Sequence, residues 1–219
     1  VRVGVIRVLT TDDSVLLNAH GRVLEAEFGF DTISCCIPDQ PNGVHNDETF
    51  ALAVPKVAAL AAALAPLVDA IILSCAADPG LAEARAVSSV PVVGAGSAAA
   101  ERALALGSAV GVLDLTVETP VAITDLLGAR RVASLVPEGV TQTRDLLTDA
   151  GRASSIAGAH SLVKQGADVI LLACTGMTSI ALAATLAGEL DVPVVDAVLA
   201  AGAAVALLPT ANRAASPAL

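Results

Sequence analysis

The chain has 219 residues, 55% hydrophobic and 16% charged, enough for one large or two small packed units and unlike a disordered chain. A net charge of −10, no Trp or Tyr and three Phe argue against a phosphate-backbone or base-stacking partner, so no nucleic acid is expected. The longest apolar stretch, 57–73, is interrupted by Pro66 and Asp69, and the N-terminus lacks the pattern of a signal peptide; a cytoplasmic protein with reduced thiols and no membrane span is expected.

In chain order, short apolar runs rich in Val and Ile predict strands at 2–8, 31–37, 69–74 and 90–94, then at 108–114, 130–136, 167–173 and 192–196. Helical stretches separate them, at 12–28, 49–65, 79–87 and 96–106 in the first half. In the second they fall at 118–128, 139–150, 154–165 and 178–189, with a last helix at 197–208. The two halves repeat each other. "DAIILSC" (69–75) aligns with "DVILLAC" (168–174), "VPVVG" (90–94) with "VPVVD" (192–196), and "VGVIR" (3–7) with "VGVLD" (110–114). The fold class is therefore α/β: two pseudo-symmetric, doubly wound (flavodoxin-like) lobes, each with a four-stranded parallel sheet. The expected division is 1–95 for the first lobe, completed by a C-terminal helix within 197–219, and 96–196 for the second.

In such sheets ligands bind outside the carboxyl ends of the strands. Cys75 and Cys174 stand at equivalent carboxyl ends, so an active site between the lobes is expected, with the two thiols converging on it. Each cysteine is followed by an apparent helix start, with Asp78 placed to cap a helix opened by Pro79 and Thr178 or Ser179 to cap its counterpart. A helix N-terminus favours a thiolate. Two thiols flanking one carbon suit stereoinversion: one removes a proton from one face and the other delivers a proton to the opposite face. Backbone N–H groups at Ala76–Ala77 and Thr175–Gly176 are candidate donors to the enolate.

Other candidates are weaker. Thr10, Thr11 and Asp12 end the first strand and either contact substrate or cap the next helix; Thr116 carries the same ambiguity in the second half. Gly94 to Ser97 forms either a turn at the cleft rim or, with Gly96, Ala99 and Asp114, an imitation of a dinucleotide fingerprint. His45 lies in the polar loop "NGVHNDET" and reads as solvated. Cys35 and Cys36 alternate across a strand, one core and one surface. Scattered His20, His45 and His160 and the absence of CxxC spacing suggest no metal site. Lys56 and Lys164 sit away from strand ends, against a pyridoxal cofactor.

"SCAADPGL" and "ACTGM" resemble the two cysteine motifs of the hydantoin and allantoin racemase branch of the aspartate/glutamate/hydantoin racemase superfamily, and the likeness extends over the whole chain. The resemblance implies Cys75 and Cys174 as an acid/base pair working without a cofactor, with oxyanion binding by the residues after each cysteine. The amino-acid racemases of the superfamily carry C-N-T and G-C-T-H, where this chain has Ala76, Ala77 and Gly176. The expected substrate is thus a 5-substituted hydantoin or related cyclic ureide, not free aspartate or glutamate. The loop after the first strand, "RVLTTDD", departs from the N-P-N-T-like sequence of the branch. The expected partners are a small-molecule substrate and further copies of the chain. The alternatives are other superfamily chemistry (amino-acid racemase, decarboxylase or cis–trans isomerase) or a small-molecule binding protein without catalysis.

Overall fold

A computed structural model describes residues 1–209. The first half contains β1 (Arg2–Arg7), α1 (Ser14–Phe28), β2 (Asp31–Cys36), α2 (Asp47–Leu64), β3 (Ala70–Ser74), α3 (Leu81–Val87) and β4 (Val92–Gly94). After α4 (Ala95–Leu106) come β5 (Val110–Leu113), α5 (Val121–Leu127), β6 (Arg131–Leu135), α6 (Asp149–Lys164) and β7 (Val169–Leu172). The short α7 (Gly176–Ser179) and α8 (Leu182–Ala187), β8 (Val194–Asp196) and α9 (Ala197–Ala206) complete the described chain. The strands form two four-stranded sheets ordered β2-β1-β3-β4 and β6-β5-β7-β8, parallel throughout, so the repeat seen in the sequence is a repeat of topology.

The strands are continuously apolar because both faces are covered. Along β1, Val3 and Val5 join a core shared by the two lobes, and Ile6 joins a separate outer core. Along β5, Val110 and Val112 join the shared core and Leu113 the other lobe's outer core. The shared core is filled from α4 and α9 by small side chains such as Ala99, Ala103 and Ala201, which let the two sheets approach over closely packed helices. Gly202 on α9 leaves no room for a Cβ against Phe28 and Leu24 of α1, so α9 docks on the first lobe by backbone approach. The expected last helix thus ends at Ala206; residues 210–219 of the expected 197–219 segment lie outside the described residues.

Asp13, not Thr10 to Asp12, caps α1, accepting from the amides of Val15 and Leu16. Asn46 and Thr49 form a reciprocal capping box on α2. The stretch Asp47–Leu67 is long and apolar enough to cross a membrane by length and composition alone, yet it buries Ala53, Val57, Ala61 and Leu64 in the first lobe's outer core.

The helix expected at 139–150 is absent, and the one expected at 154–165 begins earlier. In place of 139–150 and 154–165 there is a 3-10 turn, Thr143–Leu147, then the single helix α6. Thr148 is its N-cap, accepting from the Gly151 amide, so Gly151 lies within the first turn instead of breaking the helix. Likewise 178–189 is not one helix: Ala181, at φ 51°, divides it into α7 and α8.

Candidate active site

In the first sheet Arg7 of β1 pairs with Cys36 of β2 and Ser74 of β3. Cys75 follows directly. In the second sheet Asp114 follows β5 and Cys174 follows β7. The strand ends are tied across the lobes: the Thr175 hydroxyl donates to the Ser74 carbonyl at 3.4 Å. His20, fully buried on α1, stands between the two, with Nδ1 2.7 Å from Ser74 Oγ and Nε2 3.2 Å from Ser179 Oγ.

Both thiols are free and half-buried, and Cys174 acts electrostatically across the lobe boundary on Cys75 and Arg7. Burial pushes the Cys75 thiol up to about 12. The Ala77 amide opposes that shift, Asp78 and Cys174 add to it, and the Arg7 guanidinium opposes it again. Burial also raises Cys174, against the Gly176 amide 3.4 Å from its sulfur, the Thr143 hydroxyl and the Met177 amide; the Asp114 charge adds to the rise. Desolvation therefore wins over the nearby donors, and the free protein holds both groups as thiols at neutral pH.

This departs from the expected thiolates at helix starts. After Cys75 the chain passes through Asp78 at φ 49° and Gly80 at φ 70°, and α3 begins only at Leu81. The helix after Cys174 is a single turn. Nor does Asp78 cap α3. Its carboxylate accepts from the Gly96 and Ser97 amides and so caps α4, while burial raises it to about 6. In the second lobe Asp196 caps α9 through Val198 and Leu199, and Thr178 donates to Asp196 instead of capping α8. The capping carboxylate thus comes from the segment after the third strand in the first lobe and from the end of the fourth strand in the second. Because Asp78 occupies the amides at the start of α4, the "GAGSAA" segment has no free phosphate cradle; Gly94 and Gly96 are needed for the close approach of Asp78 and the Ala76 carbonyl.

The other expected contacts fall as follows. Ala76 is buried in the shared core, and the Ala77 and Gly176 amides are directed at the thiols themselves. The Thr10 hydroxyl donates to the Ile37 carbonyl and accepts from the Gln40 amide; that of Thr11 accepts from the Asp13 amide; that of Thr116 donates to the Glu118 carbonyl. These three hydroxyls are thus engaged in loop structure. His45 is exposed. Cys35 and Cys36 are both half-buried, not one core and one surface; Cys36 lies beside Arg7, its thiol 3.7 Å from the Thr11 carbonyl. Among the described residues no three His, Cys, Asp or Glu side chains could hold a metal ion together.

Three site residues escaped sequence reasoning. Arg7 is 3% exposed; burial lowers it to about 10 while Cys36, Cys75 and Cys174 pull it back up. His20 is the second. Asp114 is the third in this role, buried at 1% exposure, with Oδ2 accepting from Thr119 at 2.6 Å. A signal for the first and third was available: the aligned segments "VGVIR" and "VGVLD" put an arginine and an aspartate at one position of the repeat.

Two parallel four-stranded lobes, each with a cysteine at the same strand end, define the two-lobed α/β fold of racemases. The family model described as Asp/Glu/Hydantoin racemase matches residues 18–205, and the chain belongs to that family. It is 31% identical to a hydantoin racemase of Rhizobium meliloti over 170 residues, 74% of this chain and 70% of that one. It is 33% identical to a hydantoin racemase of Pseudomonas sp. (strain NS671) over 141 residues, 61% of this chain and 55% of that enzyme's length. Among solved structures it superposes on allantoin racemase from Klebsiella pneumoniae with a TM-score of 0.82 at 25% identity, covering 94% of this chain and 86% of that one. The maleate isomerase Iso from Pseudomonas putida S16 shares the fold alone, with a TM-score of 0.71 at 17% identity over 94% of this chain and 91% of that one.

Proposed function

We propose that this protein racemises a carbon acid next to a carbonyl, in a 5-substituted hydantoin or related cyclic ureide, with Cys75 and Cys174 as opposed acid/base groups. The observation that carries this reading is the placing of a thiol at the same strand end of each lobe, with the strand ends joined by the Thr175–Ser74 hydrogen bond. The names of the relatives support the substrate class.

In each turnover one sulfur, as thiolate, takes the proton from the stereogenic carbon. The C–H electron pair passes into an enolate, and the other thiol returns its own proton to the opposite face. Because burial holds both sulfurs protonated, loss of one proton to solvent must accompany binding; the Ala77 amide and then the Arg7 charge favour it at Cys75, and the Gly176 amide, the Thr143 hydroxyl and the Met177 amide favour it at Cys174. Half-exposed free thiols of this kind suit a reducing compartment, which supports a cytoplasmic setting.

The test is exchange of the substrate α-proton in D₂O, followed by NMR for each enantiomer with Cys75→Ser and Cys174→Ser. A hydroxyl titrates far above working pH and no longer serves as base. Net racemisation should vanish in both variants, while each still washes deuterium into one enantiomer, a different one for each. Racemisation by either single variant, or the same enantiomer exchanged by both, would disprove the paired-thiol reading.

A further inference from the structure

Repeat-equivalent positions of the two lobes carry opposite charges. Arg7 ends β1 and Asp114 follows β5, at the aligned ends of "VGVIR" and "VGVLD". Side chains alternate along a strand. Val3 and Val5, like Val110 and Val112, face the core between the lobes, so Arg7 and Asp114 continue those rows into the space between the strand ends. Both act on the thiols there: Arg7 on Cys75, and Asp114 on Cys174.

Neither is fully used by the protein. Arg7 Nη1 donates to the carbonyls of Leu16 and Leu17, which fixes the guanidinium, while Nε and Nη2 donate to none of the described residues. Asp114 Oδ2 is held by Thr119, which in turn accepts from Arg131, but Oδ1 is buried with no partner among the described residues. A buried carboxylate oxygen without a donor is costly and uncommon in a native fold.

We propose that Arg7 and Asp114 read the substrate as a pair: Arg7 takes a ring carbonyl through its unengaged nitrogens, and Asp114 Oδ1 takes a ring N–H. This rests on the racemase reading above and narrows its substrate. A guanidinium and a carboxyl at the repeat-equivalent strand ends of the two lobes match a neutral ring that presents C=O and N–H on neighbouring edges. They match a free acidic amino acid poorly, since its second carboxylate would lie against Asp114 with no second buried arginine among the described residues to meet it. Arg7 also stands where negative charge develops on the carbonyl oxygen as the proton leaves. Burial lifts the Asp114 carboxyl to about 7, and an N–H donor at Oδ1 would restore its ionised form.

The experiment compares kcat/KM by polarimetry on a 5-substituted hydantoin and its N1-methyl and N3-methyl derivatives, for wild type, Asp114→Ala, Asp114→Asn and Arg7→Gln. Methylation of the nitrogen that Asp114 reads should cost the wild type roughly 10- to 100-fold. Asp114→Ala should lose activity on the parent ring and show a ratio of N–H to N–CH₃ substrate near one. Asp114→Asn, whose amide oxygen still accepts, should keep much of the discrimination, and it carries the test if the alanine variant does not fold. Arg7→Gln should lower kcat/KM on all three rings and leave the ratio unchanged. A wild-type ratio preserved in Asp114→Ala, a wild type indifferent to methylation at both nitrogens, or full activity in Arg7→Gln would overturn the pairing while the racemase reading stands. A wild type that inverts no hydantoin would overturn both.

Discussion

His20 Nδ1 stands 2.7 Å from Ser74 Oγ, one residue before Cys75, although His20 and Ser74 lie 54 positions apart in the chain. Its other ring nitrogen faces Ser179 in the opposite lobe, so a single neutral imidazole joins both strand-end regions behind the thiols. Burial, with the Arg7 charge adding to it, holds the His20 pKa well below 6.5. His20→Ala would leave two hydroxyls without their partner and a space in the interior, for a loss of about 2–3 kcal/mol in unfolding free energy. It should lower kcat more than it raises KM, because it frees the backbone that positions Cys75. The pH dependence has a definite sign. Below pH 6.5 the unfolded chain binds a proton that the folded protein refuses, so the His20 contribution is intact above 6.5 and is lost as pH falls. Urea unfolding at pH 5.5 and 7.5 should show this loss in the wild type and not in His20→Gln; equal pH slopes for the two proteins would rule out a buried neutral imidazole.

The two cysteines should differ in reactivity before substrate arrives. Thiolate is the nucleophile in alkylation. With Cys75 pushed up to about 12 and only the Ala77 amide and Arg7 favouring its charge, its reaction with iodoacetamide should be slow at pH 8 and still rising above pH 10. Cys174 has three donors for its sulfur, from Gly176, Thr143 and Met177, and should label first. Peptide mass spectrometry over a time course distinguishes the sites. Faster labelling of Cys75 at pH 8 would show that desolvation does not control it.

Gly96 tests how tightly the backbone after Cys75 is held. A Cβ there would collide with the Ala76 carbonyl oxygen, and neither group is the end of a flexible side chain. Gly96→Ala should therefore destabilise by about 1–3 kcal/mol or more and shift the segment that carries Cys75. Gly29 is the control. It sits in the left-handed region at φ 68° with open space around it, so Gly29→Ala should cost about 1–2 kcal/mol and leave kcat unchanged. Thermal unfolding and kcat of the two variants, compared side by side, give the answer: equal activity in both would mean that the Ala76–Gly96 contact does not position the thiol.

The parts of the molecule legible in the sequence are those written in local periodicity. Eight apolar runs and their repeat are enough to place both sheets, and strand-end equivalence is what proposes Cys75 and Cys174 as a pair. What was illegible depends on distant partners. His20 reads as one more helical residue until Ser179, 159 positions later, is folded against it. Arg7 reads as a charge interrupting an apolar strand until α1 presents the Leu16 and Leu17 carbonyls. The missing helix at 139–150 and the earlier start of α6 have a different cause. Asp145 gathers the amides of Thr141 and Gln142 into a tight turn, and Thr148 then starts α6, so side-chain capping sets a boundary that apolar spacing had put elsewhere. Asp78 shows the same limit: its place before Pro79 suggests a local cap, but the folded chain brings it to the amides of α4.

Asp114 provides a prediction in which stability and binding can be read from one titration. Burial raises its carboxyl from the ordinary 3.8 to about 7, while the Thr119 hydroxyl and the Arg131 charge oppose the shift; Cys174 is the other titratable group facing it. Between those two values the folded protein keeps a proton that the unfolded chain releases, so stability falls as pH rises from about 4 through about 7 and then levels. Asp114→Asn has no proton to keep. Its unfolding free energy should match the wild type near pH 4 and exceed it progressively up to pH 7.5, by about 4 kcal/mol. The pH trends of other groups, His20 and Asp78 included, are common to both proteins and cancel in the difference. Saturation with a non-reacting cyclic ureide should change the curve in a specific way: an N–H donated to Oδ1 favours the carboxylate and lowers its folded value, so the wild type should stop losing stability at a lower pH and the gap should narrow. Urea titrations of both proteins from pH 4 to pH 8, with and without the ureide, measure all four curves. A difference that is flat with pH would mean the carboxyl is ionised in the fold, and a gap unmoved by the ureide would mean that nothing donates to its free oxygen.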